Sequence, residues 1–319
     1  MAKSLGTHLL NGVRGTLIGT AETVPGISGG TVALITGVYE SLINSAGHVV
    51  TAVRLLVTDL LRGKGLARAR AELTRADWGT VLAVLVGMVL AVLVAARVIA
   101  PLVEHNPAES HALFFGLVLA SLWVPYSSSG RRWRVGDYLL ALLMAAAAFL
   151  FTGVPSTTVD PHPLIVMAAA AFAVCALVLP GISGSFILLT VGLYLPTMEA
   201  LNNRDLGYIA TFALGATIGL SLFVKLLQFL LDRFHHLTLV VMTGLMAGSL
   251  RALWPWQDDD RTLLAPSQDN LVLCIVLALI GAAAVITVIV IEHRIKARAA
   301  HDASVAPEVR PQTNDTVVQ

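Results

Sequence analysis

Val24–Tyr39 reads VPGISGGTVALITGVY, and Leu179–Tyr194 reads LPGISGSFILLTVGLY. Aligned without gaps, Pro25 and Pro180, Gly26 and Gly181, Ile27 and Ile182, Ser28 and Ser183, and Gly29 and Gly184 coincide, as do Leu34 and Leu189, Gly37 and Gly192, and Tyr39 and Tyr194. A second echo follows each copy: Gly116-Leu117 with Ser121-Leu122, then Gly244-Leu245 with Ser249-Leu250. Two echoes in the same order mark an internal duplication. Gly26 lies 90 positions before Gly116 and Gly181 lies 63 before Gly244; the difference of 27 matches a basic segment over 48–77 that the second half lacks. Surface connections tolerate insertions of that kind.

Composition fixes the solvent. Apolar residues make up 56% of the chain, charged residues 13%, and the mean hydropathy is +0.78. Soluble domains carry roughly 25% charged residues, so a water-facing surface cannot be built from this set. Apolar runs of about 18 residues or more, the length that crosses a hydrocarbon core, recur throughout. Each half holds five apolar pieces: about 8–22, 27–45, 78–104, 110–126 and 136–153, then about 163–179, 182–200, 206–232, 236–252 and 270–292. The expected organisation is a first repeat over 1–155 with a basic loop over 48–77, a second repeat over 156–295, and a disordered tail over 296–319. Cys175 and Cys274 stand far apart inside apolar runs, without CxxC spacing, and read as small core residues. No cleavable signal is expected, because Asn11 and Arg14 interrupt any apolar stretch near the N-terminus.

Charge distribution sets orientation through the positive-inside rule. Arg54, Arg62, Lys64, Arg68, Arg70 and Arg75 put the 48–77 segment in the cytoplasm. The acidic connection 104–110 is then outside, Arg131, Arg132 and Arg134 inside, Asp160 outside and Arg233 inside. Asp258, Asp259, Asp260 and Asp269 fall outside, with Asp258–Asp260 a solvated loop, and Arg294, Lys296 and Arg298 bring the C-terminus inside. With Lys3 also inside, the pieces flanking Pro25-Gly26 cross an even number of times: two full spans, or a re-entrant hairpin. The short first piece, carrying Arg14 and Glu22, favours the hairpin, and the Pro180-Gly181 counterpart then opens from outside. Either choice gives each half an odd number of crossings. The fold class is therefore all-α: a polytopic membrane protein of two inverted-topology repeats, each a PGISG-broken re-entrant helix pair followed by three membrane-spanning helices.

The breaks suggest an anion site. Pro25-Gly26 and Pro180-Gly181 interrupt helices, since proline removes an amide donor and glycine admits positive φ. Unpaired backbone at membrane depth is tolerated only where protein buries it or a cavity needs it. Behind the breaks, Ser28, Gly29, Gly30 and Thr31, and on the other side Ser183, Gly184 and Ser185, offer amides and hydroxyls at a helix start, which suit a phosphate. The competing reading is close helix packing with serine caps. Ionisable groups in apolar surroundings each cost at least ~2.5–3.5 kcal/mol unless paired or hydrated. Arg14 and Glu22 flank the first break, Arg97 and Lys225 lie inside apolar segments, and Glu199 and Arg251 near segment ends. Arg14 can grip phosphate with its planar fork; Glu22 can carry a coupling proton; Arg97, Lys225 and Arg251 are candidates for a polar cavity or for snorkelling. The nine histidines show no ligand spacing, so neither a metal nor another cofactor is expected.

The paired PGISGG and PGISGS motifs, with Glu22 just before the first, resemble the polyprenyl-phosphate transporter family of bacterial membrane proteins, over nearly all of the chain up to about residue 295. The resemblance implies a flippase for undecaprenyl phosphate in the cytoplasmic membrane, returning this lipid carrier inward for cell-envelope synthesis, and no catalytic residues. Implied partners are the polyprenyl-phosphate lipid and membrane lipids, with room for a homo-oligomer and no nucleic acid. One competing enzyme, the membrane-embedded undecaprenyl-pyrophosphate phosphatase, carries a PGxSRSG motif; neither copy here has the arginine after the serine, and a serine without base or clamp is poorly activated. A secondary transporter for a small soluble anion would use the helix breaks equally well.

Overall fold

A computed structural model of the chain describes residues 5–22, 29–63, 65–155, 159–180, 183–258 and 260–305. Among them the protein is all-helical, save one isolated bridge between Gln257 and Leu263. The helices are α1 (Leu5–Glu22), α2 (Gly29–Ile35), α3 (Tyr39–Leu61), α4 (Ala67–Leu73), α5 (Trp78–His105), α6 (Pro107–Ser121), α7 (Trp123–Ser128) and α8 (Val135–Thr152). They continue as α9 (Pro163–Val178), α10 (Gly184–Val191), α11 (Tyr194–Asn202), α12 (Leu206–Ser249), a 3-10 turn (Leu250–Leu253) and α13 (Leu271–Val305). By length and composition, five helices among the described residues can cross a membrane, or seven if each of two bent pairs counts as one span. Their outer faces expose Leu93, Leu142, Leu222 and Leu279, a lipid-facing rather than water-facing surface. Trp123, Tyr126, Trp133 and Tyr138 form a chain of rings 4.8–5.6 Å apart at the α7–α8 connection, where amphipathic rings mark a membrane–water interface.

Small residues decide which helices meet. Gly15 and Gly19 of α1 lie on the backbone of Val84 and Met88 of α5; Gly215 and Gly219 of α12 lie on Met167 and Ala171 of α9. Gly116 of α6 faces Ala278 of α13, and Gly244 and Gly248 of α12 face Ala141 and Ala145 of α8. Residue numbers rise together in the pairs with two such contacts, and Cys274 of α13 reaches Ala108 at the start of α6, so the partners run parallel in all four. In lipid, where no hydrophobic force pulls helices together, such close backbone approach is the main source of association.

Two sharp turns lie beyond the glycine-proline motifs, and they correct the single pieces expected over 27–45 and 182–200. Gly37 (φ 72°) and Gly192 (φ 79°) adopt the left-handed conformation that glycine reaches at no steric cost. Both ends close in the same way: Gly37 N–H donates to Leu34 O and Val38 N–H to Ala33 O, while Gly192 N–H donates to Leu189 O and Leu193 N–H to Leu188 O. These are glycine-ended helix stops, and α10 and α11 meet there at 103°. The piece expected over 110–126 is one 22-residue span, Pro107–Ser128, with helical backbone at Leu122 between α6 and α7.

A third reversal needs neither glycine nor proline. Phe234 leaves the helical region (φ −131°, ψ 39°) inside α12. Thr238 Oγ1 donates to Leu230 O, eight residues back, at 3.1 Å. Eight residues of straight helix rise about 12 Å, so α12 must fold back at Phe234. His235 and His236 hold the fold by donating to the carbonyls of Ser128 and Ser129 at 3.3 and 3.0 Å. The two pieces expected over 206–232 and 236–252 are its limbs.

The 48–77 segment is not a loop but helical, since α3 runs on to Leu61 and α4 follows. Its charges pair internally: Arg68 with Asp59 (Nε–Oδ2 2.8 Å), and Glu72 with His48 and Arg75 at 2.9 and 2.8 Å. Self-neutralisation lets so basic a stretch fold as a helix pair. Helix α13 reaches Val305, so the tail expected from 296 begins as helix, and 306–319 lie outside the described residues. Cys274 is buried and Cys175 half-buried, both free thiols.

Candidate functional site

Helix α1 ends at Glu22, and its carboxylate Oε1 accepts the N–H of Gly29, the first residue of α2, at 2.7 Å. Gly29 lets the carboxyl group come this close, since a Cβ there would displace it. Because Gly19, one turn before Glu22, packs on Met88 and Ala91 halfway along the 28-residue α5, the break lies near the middle of the longest first-half helix. A cavity of about 380 Å³ opens beside it, lined by Glu22, Gly29, Gly30 and Tyr39 from the first half and by Val178 and Leu220 from the second. Its walls are otherwise apolar, so the carboxylate is its one acidic side chain among the described lining residues. A carboxyl oxygen therefore already occupies the α2 amide, and it belongs to the protein itself.

Tyr39, 4% exposed, crosses between the halves. Its hydroxyl donates to Val178 O at 3.1 Å. Val178 ends α9, where Pro180, lacking an N–H, and the following break leave carbonyls without helical partners. The sequence comparison contained Tyr39 only as half of a matched pair; nothing in it pointed to this bond.

The remaining expected residues divide by position. Arg14 is half-buried two turns before Glu22; its Nη1 donates to Asn11 Oδ1 at 2.9 Å, and buried Asn11 donates to Thr80 Oγ1 of α5 at 3.1 Å. Arg14 does not line the Glu22 cavity. Gly30 and Thr31 are buried in α2. Pro25, Gly26 and Ser28 lie outside the described residues, as does Gly181. At the second break Pro180 forms a turn, Ser183 Oγ lies 2.8 Å from Ser185 Oγ, and Gly184 packs on the Ala173 carbonyl of α9. Lys225 donates to Gln228 Oε1 at 3.1 Å, beside the Asn44 region of α3, and not into the Glu22 cavity. Arg97 lies on α5 with its side chain outside the described residues. Arg251 belongs to a different place altogether, against the C-terminal end of α8, with Nη1 donating to Phe149 O at 3.2 Å. Asp258 is not simply solvated: its carboxylate accepts Thr262 N–H at 2.7 Å and shapes a tight turn. Among the described residues no three His, Cys, Asp or Glu side chains gather as a metal site.

The arrangement can seat an oxyanion on backbone amides between two apolar halves.

Comparison with known proteins agrees with this chemistry. Residues 18–272 match the family described as VCA0040-like, undecaprenyl phosphate translocase-like. The chain is 33% identical over 259 residues to the polyprenyl-phosphate transporter of Vibrio cholerae serotype O1, covering 81% of each chain. It is 26% identical over 270 residues to the polyprenyl-phosphate transporter of Staphylococcus aureus, covering 77% of this chain and 86% of that one. No solved structure matches. The family is one of multi-pass membrane transporters and not of enzymes, which removes the phosphatase reading. The chain belongs to the undecaprenyl phosphate translocase-like family.

Proposed function

We propose that the protein carries undecaprenyl phosphate across the cytoplasmic membrane, passing the head group between two inverted hairpins while the isoprenoid tail stays in lipid. The phosphate is the part that hydrocarbon excludes, and backbone amides at a helix break can replace its water. The observation that carries the proposal is the Glu22 carboxyl group on the Gly29 amide: an acid oxygen is accommodated there, in an apolar cavity between the halves. Protonation of Glu22 would vacate the amide for the head group and link loading to a proton. Arg14 serves as the approach to that break, and Ser183, Gly184 and Ser185 serve the second.

Several features support inversion of the halves. The glycine stops at Gly37 and Gly192 close with the same hydrogen bonds. The α1–α5 pair is repeated by α9 and the first limb of α12, and α6–α13 by α8 and the second limb. In the last two pairs each half lends a helix to the other, as an intertwined two-fold arrangement requires. Charge places both termini in the cytoplasm, the α4 segment inside and the 258–269 segment outside.

A photoreactive prenyl phosphate tests the route. Irradiated with the reconstituted protein, it should label residues 29–31 and 183–185, and excess undecaprenyl phosphate should prevent labelling. Label confined to lipid-facing side chains such as Leu93 and Leu142 would contradict it.

A further inference from the structure

Beyond both breaks, Arg251 reaches the backbone of Arg261, and among the described residues no carboxylate pairs with either. Arg251, in the 3-10 turn after α12, donates from Nη1 to Phe149 O and from Nη2 to Arg261 O, at 3.2 and 3.3 Å. Its guanidinium lies 4.7 Å over the Phe149 ring, and its buried Nε has no hydrogen-bond partner. Gly153 makes the fit possible, because a Cβ there would overlap the guanidinium. Arg261 comes from the turn between the 3-10 segment and α13, where the chain is pinched by the Gln257–Leu263 bridge and by Asp258. It holds a left-handed backbone (φ 62°), which a residue with a Cβ occupies only when its surroundings impose it. From there Nη1 donates to Val154 O at 2.8 Å and to Thr190 Oγ1 at 3.1 Å, and the guanidinium lies 4.4 Å over Phe186. Thr190 and Phe186 belong to α10, the short helix of the second hairpin.

Carbonyls and ring faces satisfy these cations only in part. Neither arginine has an ion pair among the described residues, and the Asp258 carboxylate of the same turn is engaged by Thr262 N–H. Burial pulls the Arg261 guanidinium below its ordinary pKa, the consequence of a desolvated cation without a counter-charge. A buried donor left unmet on one guanidinium among the described residues, three donors on Nε and Nη2 of the other, and two cations resting on the adjacent residues Gly153 and Val154 ask for one anion with several oxygens. Exposed apolar side chains lie in the same segments: Phe149, Leu150 and Phe151 of α8, Val154 just after it and Leu189 of α10.

We infer that Arg251 and Arg261 form a seat for a phosphomonoester, the point at which the lipid's head group is captured from the outer leaflet before it enters the second hairpin. The inference rests on the transporter reading and its orientation. A head group held here touches α10 through Arg261, and its prenyl tail runs along the exposed face of α8. Two guanidinium forks match the oxygens of a phosphomonoester, which lysines would not do.

Trp254 and Trp256, with rings 5.3 Å apart and close in sequence to Arg251, report binding by fluorescence. The full-length protein in detergent would be titrated with farnesyl phosphate, farnesol and inorganic phosphate. Farnesyl phosphate should give a saturable change that farnesol, with the same tail and no phosphate, does not. Arg251→Gln and Arg261→Gln should each raise its half-saturation at least tenfold, Arg261→Lys by less, and Arg62→Gln on the α3–α4 pair not at all. Inorganic phosphate saturating at the same concentration as farnesyl phosphate would keep the seat and assign it to free phosphate. Unchanged binding in arginine variants that keep the wild-type thermal midpoint would overturn the seat, as would farnesol binding as tightly as its phosphate. Should the glutamine variants fail to fold, unchanged affinity in Arg251→Lys and Arg261→Lys would overturn it equally. Intact binding in a protein that moves no lipid in vesicles would instead refute the transporter reading and leave the seat standing.

Discussion

Replacing Glu22 by glutamine and, separately, by alanine isolates what its oxygen does for the Gly29 amide. Both substitutions remove the charge, so both relieve the same cost of at least ~2.5–3.5 kcal/mol for an ionised group at membrane depth. They differ in the acceptor. Glutamine keeps an oxygen where the carboxylate now accepts the Gly29 N–H at 2.7 Å; alanine leaves that donor facing apolar walls. An unsatisfied buried donor costs about 1–3 kcal/mol, and the cavity lining beside it is otherwise apolar. Glu22→Gln should therefore be more stable than Glu22→Ala by about 1–3 kcal/mol, measured as the difference in unfolding free energy in one detergent at one pH. The pair also separates structure from coupling. Lipid translocation should lose its dependence on pH in both variants, since neither carries a proton-releasing group at position 22. Alanine equalling glutamine in stability would refute the reasoning, because the bond to Gly29 would then contribute nothing.

Other outcomes follow from packing and from the bridge between halves. Gly15→Ala should destabilise by about 1–3 kcal/mol or abolish folding, since its Cβ meets the Val84 backbone, while Gly136→Ala, with open space at its Cβ, should shift unfolding by less than about 0.5 kcal/mol. Tyr39→Phe leaves Val178 O without its donor and should cost about 1–3 kcal/mol in thermal unfolding, with no change in the fold. Single cysteines at Arg62 and Asp260 should react with a membrane-impermeant thiol reagent from opposite faces of the membrane; reaction from the same face would break the proposed orientation.

The sequence carried the membrane class plainly, because the apolar runs and the scarcity of charge allow no water-facing surface. It also carried the helix pairing in part: the echoed Gly116 and Gly244 proved to be contact points against α13 and α8. The turns at Gly37 and Gly192 were visible as matched glycines, yet a glycine inside an apolar run reads equally as a packing residue, and only its φ tells the two apart. The fold-back at Phe234 had no local signal. It depends on His235 and His236 reaching carbonyls 107 positions earlier, which periodicity does not encode. Glu22 was legible as a charge beside a break, but its seat on Gly29 was not. Arg261 was hidden among Asp258–Asp260 as part of an apparently solvated loop; its role depends on Phe186 and Thr190, the latter 71 positions away. Arg14, Lys225 and Arg251, alike in sequence as charges near apolar runs, separate into three places once helices pack.

The most direct measurement is undecaprenyl phosphate translocation in vesicles containing the purified protein, with wild type, Arg14→Ala and Glu22→Ala compared at equal reconstitution. The account predicts protein-dependent movement of the phosphorylated lipid, no acceleration of undecaprenol beyond empty vesicles, and loss of rate in both variants. Equal rates in all three proteins, or no movement of the phosphorylated lipid by wild type with or without a proton gradient, would contradict it.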